Sequence, residues 1–274
     1  MLNGFFKILV VSLIPFIPIN DLEEVDRRCT AVNDTFIDGE TLVYKIYYNW
    51  KLVWIPAGEV KFSVKEEEET YEYIAYGKTY SSYDNFFKVR DYYYSKVDKN
   101  TLYPINFVRN IEEGKYTRYD SIVFNQELML ATSYWGSKVD NARPFEFELN
   151  DCMQDMLSIL YYVRNQQVER YNEGDEIPIN VFFDKETYPL KVYYDGKDRN
   201  KKIKNLGKFN TLKFIPEVVA GYVFDEETRM KLWVSDDQNK IPLLIESPVS
   251  IGSIKAVLKR YENLKYPLTS QINE

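Results

Sequence analysis

The chain has 274 residues, of which 45% are hydrophobic and 16% aromatic, and it carries a formal net charge of −7. That composition belongs to a folded chain rather than a disordered one, and an acidic balance without a basic run argues against nucleic acid as a partner. There is no histidine, which removes Ser-His-Asp and Cys-His catalysis, imidazole acid–base chemistry and histidine-based zinc sites.

Near the N-terminus Lys7 precedes an apolar run over residues 8–19, interrupted by Pro15 and Pro18. The run has the length of a secretory signal and is shorter than the ~20 residues of a spanning helix. We therefore expect a signal segment over about residues 1–20, export, and no spanning segment later in the chain. Arg27-Arg28-Cys29 is not a lipidation context, which calls for a small or apolar residue before the cysteine. Cys29 and Cys152 are the two cysteines. In an oxidising compartment they are a candidate disulfide, although their separation in sequence says nothing of their distance in space.

Apolar and polar residues then alternate with period two, the mark of a strand with one buried face. The pattern is clearest where Val60, Phe62 and Val64 alternate with Glu59, Lys61, Ser63 and Lys65. It predicts further strands over residues 44–50, 71–80, 87–97, 105–113, 116–124, 128–135, 177–183, 188–194, 230–234 and 254–261, with shorter ones at 212–216 and 243–246. The 24 tyrosines and 16 phenylalanines fit pleated, half-buried surfaces. Glu66-Glu67-Glu68-Glu69 reads as a solvated loop, because carboxylates on an extended chain point to alternate sides and suit no single ion. Asp236-Asp237-Gln238-Asn239 reads as a hairpin turn, since it lacks the glycine and distal glutamate of a calcium loop. Gly114 and Gly196 mark further turns.

Residues 151–165 break the alternation. Met153, Met156, Leu157, Leu160 and Val163 fall on a helical stripe, Asn150 or Asp151 can cap it, and Asp155 suits its positive end. The predicted fold is mainly β: a curved antiparallel sheet or open barrel of many strands with one inserted helix at about 151–165. It forms a single domain over residues 29–261, followed by a flexible tail over 262–274.

One register can be argued further. If residues 99–101 form a three-residue hairpin loop, Val89 faces Ile111, Tyr93 faces Phe107, and Asp91 faces Arg109. That pairing is either a structural lock on register or a polar anchor in a ligand cavity. Trp50 and Trp54 flank a predicted β turn at Lys51-Leu52. Like Trp135 and Trp233, they are candidates for packing or for contact with a ligand. No carboxylate pair is marked out for hydrolysis, and no glycine cluster precedes a helix to cradle a phosphate. The sequence implies no metal or cofactor.

Several segments together resemble a known family. They are Phe36-x-Asp38-Gly39-Glu40-x-Leu42, Trp54-x-x-Ala57-Gly58-Glu59, Arg109-x-x-x-Glu113-Gly114, Cys152-x-x-Asp155-Met156-Leu157, Tyr161-Tyr162-x-Arg164-Asn165, and the run Trp233 to Pro242. In this order they resemble the exported bacterial family catalogued as domain of unknown function 3108, over about residues 29–261. The resemblance implies export, a mostly antiparallel β fold, and no established activity, and we expect the exported chain in the periplasm or at the outer-membrane periphery. By fold analogy such a chain compares with periplasmic carriers built as an open barrel closed by a helix, such as lipoprotein chaperones. The expected function is therefore binding of an apolar envelope ligand such as a lipid. The alternative is an interaction protein that docks a partner protein or glycan through exposed aromatics, and a carboxylate hydrolase ranks below both.

Overall fold

The computed structural model describes residues 29–50, 53–217, 229–248 and 252–272. The expected signal segment and the Lys51-Leu52 turn lie outside them. The strands are β1 (Thr41–Trp50), β2 (Val53–Glu66), β3 (Thr70–Thr79), β4 (Arg90–Asp98), β5 (Pro104–Glu113), β6 (Tyr116–Asn125), β7 (Leu130–Gly136), β8 (Arg143–Glu148), β9 (Glu176–Phe183), β10 (Glu186–Ile203), β11 (Gly207–Pro216), β12 (Lys231–Ser235), β13 (Pro242–Pro248), β14 (Ser253–Glu262) and β15 (Gln271–Ile272). All belong to one antiparallel sheet in the order β8-β7-β6-β5-β4-β3-β2-β1-β14-β13-β12-β11-β10-β9, with β15 beside β11. The sheet is a meander except where β1 meets β14, so the first strand sits mid-sheet. Among the described residues it is not closed by backbone pairing, but its two ends meet through side chains: the rings of Phe147 on β8 and Phe182 on β9 lie 5.3 Å apart.

The alternation seen in the sequence becomes an inner face. Phe107 and Ile111 of β5, Ile122 and Phe124 of β6, and Ala131 of β7 are buried there. The run Glu66 to Glu69 is exposed at the β2–β3 turn, as its charge requires. At the bulge between Ile46 and Tyr47, Gly58 lets two strands approach closely, since a Cβ there would lie 2.3 Å from the Lys78 carbonyl oxygen.

Three expectations are corrected. The helix is shorter than the stripe suggested: α1 covers Ser158–Tyr162 and continues as one 3-10 turn, Val163–Asn165. Residues before it are held extended. The Gln154 amide donates to Asn180 O (2.8 Å) and its carbonyl accepts from Phe182 N (2.9 Å), forming a parallel bridge to β9. Asp155, not Asn150 or Asp151, begins the helix, its Oδ1 accepting from the amides of Leu157 and Ser158 (both 2.7 Å). Backbone partners on a sheet edge outcompete helix propensity there.

The Asp91–Arg109 register is also corrected. Arg109 lies opposite Tyr93, and the Val89–Glu113 bridge continues that register. The β4–β5 loop has five residues instead of three, because Leu102 turns back at φ 56° to bury its side chain in the core. Two extra loop residues slide the partner by two, so both side chains keep their face but do not meet. Finally, the segment expected as a loose tail after residue 261 is tied down. The Asn263 side chain donates to Gly39 O, Tyr266 OH donates to Asp34 Oδ1 (2.6 Å), and β15 pairs with β11.

Candidate functional site

The interior is filled at its centre by rings. Tyr73 of β3 stacks on Tyr161 of α1 with centroids 3.9 Å apart, and Phe36 packs edge-on against Tyr71, Tyr73 and Tyr161. Beside this stack a cavity of about 120 Å³ lies between the middle strands and the helix. Its walls include Leu42 and Ile46 of β1, Phe62 of β2, Leu160 of α1, Ile245 of β13 and Ala256 of β14. Alternation explains the wall, because Ile46 faces Ala256, which in turn faces Ile245 across neighbouring strands.

Among the described residues one charged side chain, Arg164, lines the cavity, and its charge is closed off. Nη1 and Nη2 donate to the two Glu40 carboxylate oxygens (2.6 and 2.8 Å), Nη2 also to Thr35 O (3.1 Å), and Nε to Asn239 O (3.1 Å). Glu40 is 1% exposed. Four of five guanidinium N–H groups are thereby spent on protein acceptors, so the wall offers little to an anion. Tyr44 OH likewise donates to Pro242 O (2.8 Å). The cavity wall is therefore mostly apolar.

At one end of the inner face lies a separate polar cluster. Arg109 of β5 is ion-paired with the buried Asp120 of β6 at 3.4 Å and with Asp184 in the β9–β10 turn. Burial raises the Asp120 carboxyl, while Arg109 and a hydrogen bond from Ser133 oppose the rise. Trp135 is surrounded by cations: Arg118 lies 3.8 Å, Lys185 4.9 Å and Arg109 5.8 Å from its ring. Three cations thus lie within cation–π reach of this half-buried ring. Asp184 and Lys185 reach the cluster from the far edge of the sheet through a two-residue turn with positive φ at both positions. The ion pair therefore closes the sheet at a point where its backbone does not.

Asp91, near this cluster, is pushed up to about 7, first by burial and then by the neighbouring Glu113. Asp155, sealed in the core, is pushed up to about 6 by burial, against hydrogen bonds from Ser95, Ser158 and Leu157. Both carboxyls titrate higher in the folded chain than at the ordinary 3.8. The folded state then holds more protons across that interval, so stability falls as pH rises from about 4 to about 7. Asp34 and Glu59, lowered chiefly by bonds to Tyr266 and Lys259, act in the opposite sense below this window. The urea midpoint is expected to be higher at pH 5 than at pH 7.5, and Asp91→Asn to flatten the upper part of that slope. An unchanged slope in the variant would contradict the role given to Asp91.

The other residues singled out in the sequence lie apart. Trp50 ends β1 opposite Val53. Trp54 packs on a buried cluster that includes Tyr47, Leu244 and Val257, under the Lys255 ammonium, 4.4 Å from its ring. Trp233 is 4% exposed, and its Nε1 donates to Asp198 Oδ2 (3.0 Å). Cys29 and Cys152 form a disulfide. The six candidates thus divide among different places. Single-residue reading missed Glu40 and Arg164, although both stand in the segments quoted for the family resemblance.

A family model described as "Protein of unknown function (DUF3108)" matches residues 43–259. No curated protein matches the chain. Among solved structures, a β-barrel-like protein of domain of unknown function DUF1849 from Brucella abortus is similar with a TM-score of 0.57 at 8% identity, covering 84% of this chain and 99% of that one. A Bacteroides fragilis protein described as exported, with a YmcC-like fold, scores 0.33 at 10% identity over 85% of this chain and 99% of that one. A protein described as a lipoprotein from Parabacteroides distasonis scores 0.30 at 11% identity over the same shares. The first likeness shows a shared fold, and the lower scores carry nothing further. Among the described residues no helix is long and apolar enough to cross a membrane.

Proposed function

The chain belongs to the DUF3108 family, and from that premise we propose that it is an exported envelope protein whose inner cavity receives the apolar part of a ligand such as a lipid. One observation carries this reading: an apolar cavity bounded by helix and sheet, whose charged lining residue among those described, Arg164, is already neutralised. Its volume of about 120 Å³ is close to the ~150 Å³ that accepts a benzene ring. It is well below the roughly 300–1,000 Å³ of pockets that enclose a whole ligand. The guest is therefore a ring or the end of an alkyl chain, with the rest of the molecule outside.

The test is native mass spectrometry with lipid extraction on protein purified from its own envelope, paired with titration of an environment-sensitive apolar fluorophore. Ala256→Phe puts a ring into the cavity and is expected to abolish fluorophore binding with little change in urea midpoint. Retained binding in a folded Ala256→Phe protein, or the absence of any extracted apolar compound from wild type, would count against the proposal.

The outer face of the sheet favours a second reading, docking of a glycan. Tyr76 faces Tyr92, which faces Asn110 and then Tyr119, while Ile74, Tyr94, Val108, Ser121 and Tyr134 line the next row. Tyr76, Tyr92 and Tyr134 are exposed. Flat rings mixed with amides and hydroxyls suit stacking on sugars. Co-sedimentation with purified cell-wall glycan, lost in Tyr92→Ser/Tyr134→Ser, is the expected result under this reading.

A further inference from the structure

The face of β1, β13 and β14 turned away from the cavity carries a second hollow. Strand alternation places Tyr47, Leu244 and Val257 on that face. Trp54 joins them from β2, and the end of β10 crosses over with Ile203. Tyr47, Ile203, Leu244 and Val257 are all buried in one cluster, against which Trp54 packs. They form the floor of a hollow of about 300 Å³.

Its rim is basic. Lys201, Lys202 and Lys204 come from the end of β10, and Lys255 from β14, and among the described residues Glu246 is the one acid in the lining. Among the described residues, four ammonium groups against one carboxylate stand out in a chain of net charge −7. Two of the lysines are held over the floor: Lys255 Nζ lies 4.4 Å from the Trp54 ring centre and Lys204 Nζ 4.7 Å from that of Tyr47. Lys255 also meets Glu246 at 2.8 Å. Lys201 is otherwise engaged, 3.6 Å from the Trp233 ring centre and 3.6 Å from Asp198. An aromatic floor lowers the local dielectric, and ammonium groups already laid on rings lose less freedom on gaining a partner, so an anion there interacts more strongly than on open surface.

We propose that this hollow binds an anionic group, phosphate or carboxylate, borne on a ring or short apolar stem. The anion sits among Lys202, Lys204 and Lys255, and the stem lies against Trp54 and Tyr47. The size of the hollow is that of a small-molecule site. Because the hollow and the inner cavity lie on opposite faces of the same strands, neither proposal depends on the other.

The anion can come from a soluble compound or from a lipid headgroup, and the test separates them. The full chain is titrated with phenyl phosphate by calorimetry, and separately incubated with phosphatidylcholine vesicles with and without phosphatidylglycerol. The expected result is saturable binding of phenyl phosphate that weakens as salt is added and falls about tenfold or more in Lys202→Gln/Lys204→Gln. Binding confined to the phosphatidylglycerol vesicles, and lost in the same variant, assigns the site to a headgroup. Binding to neither probe overturns the proposal, as does undiminished binding in a variant that keeps the wild-type urea midpoint. Ala256→Phe, which blocks the inner cavity, is expected to leave these titrations unchanged, so failure of one site is distinguishable from failure of the other.

Discussion

Replacing Arg164 by methionine is expected to destabilise the fold by roughly 3–5 kcal/mol, the cost of leaving an uncompensated charge in a dry interior. Glu40 would keep its place at 1% exposure while losing both guanidinium bonds, and the carbonyls of Thr35 and Asn239 would lose their donors. The pair joins residues 124 apart in sequence. It ties the strap before β1 to the end of α1, and through Asn239 to the β12–β13 turn. Its guanidinium also lies over the rings of Phe36 and Tyr161, at 5.7 and 5.6 Å, so packing is lost along with charge. The double variant Glu40→Met/Arg164→Met removes the charge imbalance and leaves only the two carbonyls wanting. It is expected to recover much of the loss, remaining about 1–3 kcal/mol below wild type. Urea unfolding of the wild type, both single variants and the double variant gives the coupling directly. A cost below about 1 kcal/mol for Arg164→Met would mean that water reaches the pair.

Reducing the Cys29–Cys152 disulfide, or replacing both residues by serine, is expected to cost up to about 5 kcal/mol on the chain-entropy scale. The bond closes a loop with a sequence separation of 123, and long loops release the most entropy when opened. The effect is also local. Cys152 is buried and leads into Met153, Gln154 and Asp155, the extended stretch that pairs with β9 and positions α1. Loss of the bond should therefore lower the unfolding midpoint and raise the slope of the urea transition, as the unfolded chain expands. Unfolding curves that coincide with and without reductant would show that the bond contributes nothing to stability.

The strands were legible because their cause is local. A strand with one buried face must alternate, and the alternation at 71–80 and 105–113 reappears in β3 and β5, buried at odd positions from Tyr71 to Gly77 and from Phe107 to Ile111, while that at 60–64 reappears in β2 with Val64 buried and Val60 and Phe62 half-buried. The two strands that were missed had weak local causes. β8 is a short edge strand containing Pro144, and β15 has two residues held by tertiary contact alone. The register of β4 against β5 was misread because it depends on Leu102, whose burial lengthens the loop. A hydrophobic residue in a turn gives no local sign that it will fold back. The greasy stripe at 153–163 was rightly placed in the interior but wrongly read as all helix. Its first residues lie beside β9, which supplies backbone partners that propensity cannot anticipate.

The candidate site divides the same way. Composition alone set aside histidine chemistry, and tyrosine and phenylalanine abundance pointed to pleated sheet. Period-two patterning determined which residues face the interior, so Ile46, Phe62 and Ala256 could have been assigned to a common side without a structure. Only the tertiary structure decided that Arg109 pairs with Asp120 and Asp184 rather than Asp91, that Arg164 is neutralised by Glu40, and that four lysines gather around Trp54 and Tyr47. The physical reason is that burial pattern is a property of a segment, whereas a partner is chosen by loop length, register and the meeting of sheet edges, which are properties of the whole chain.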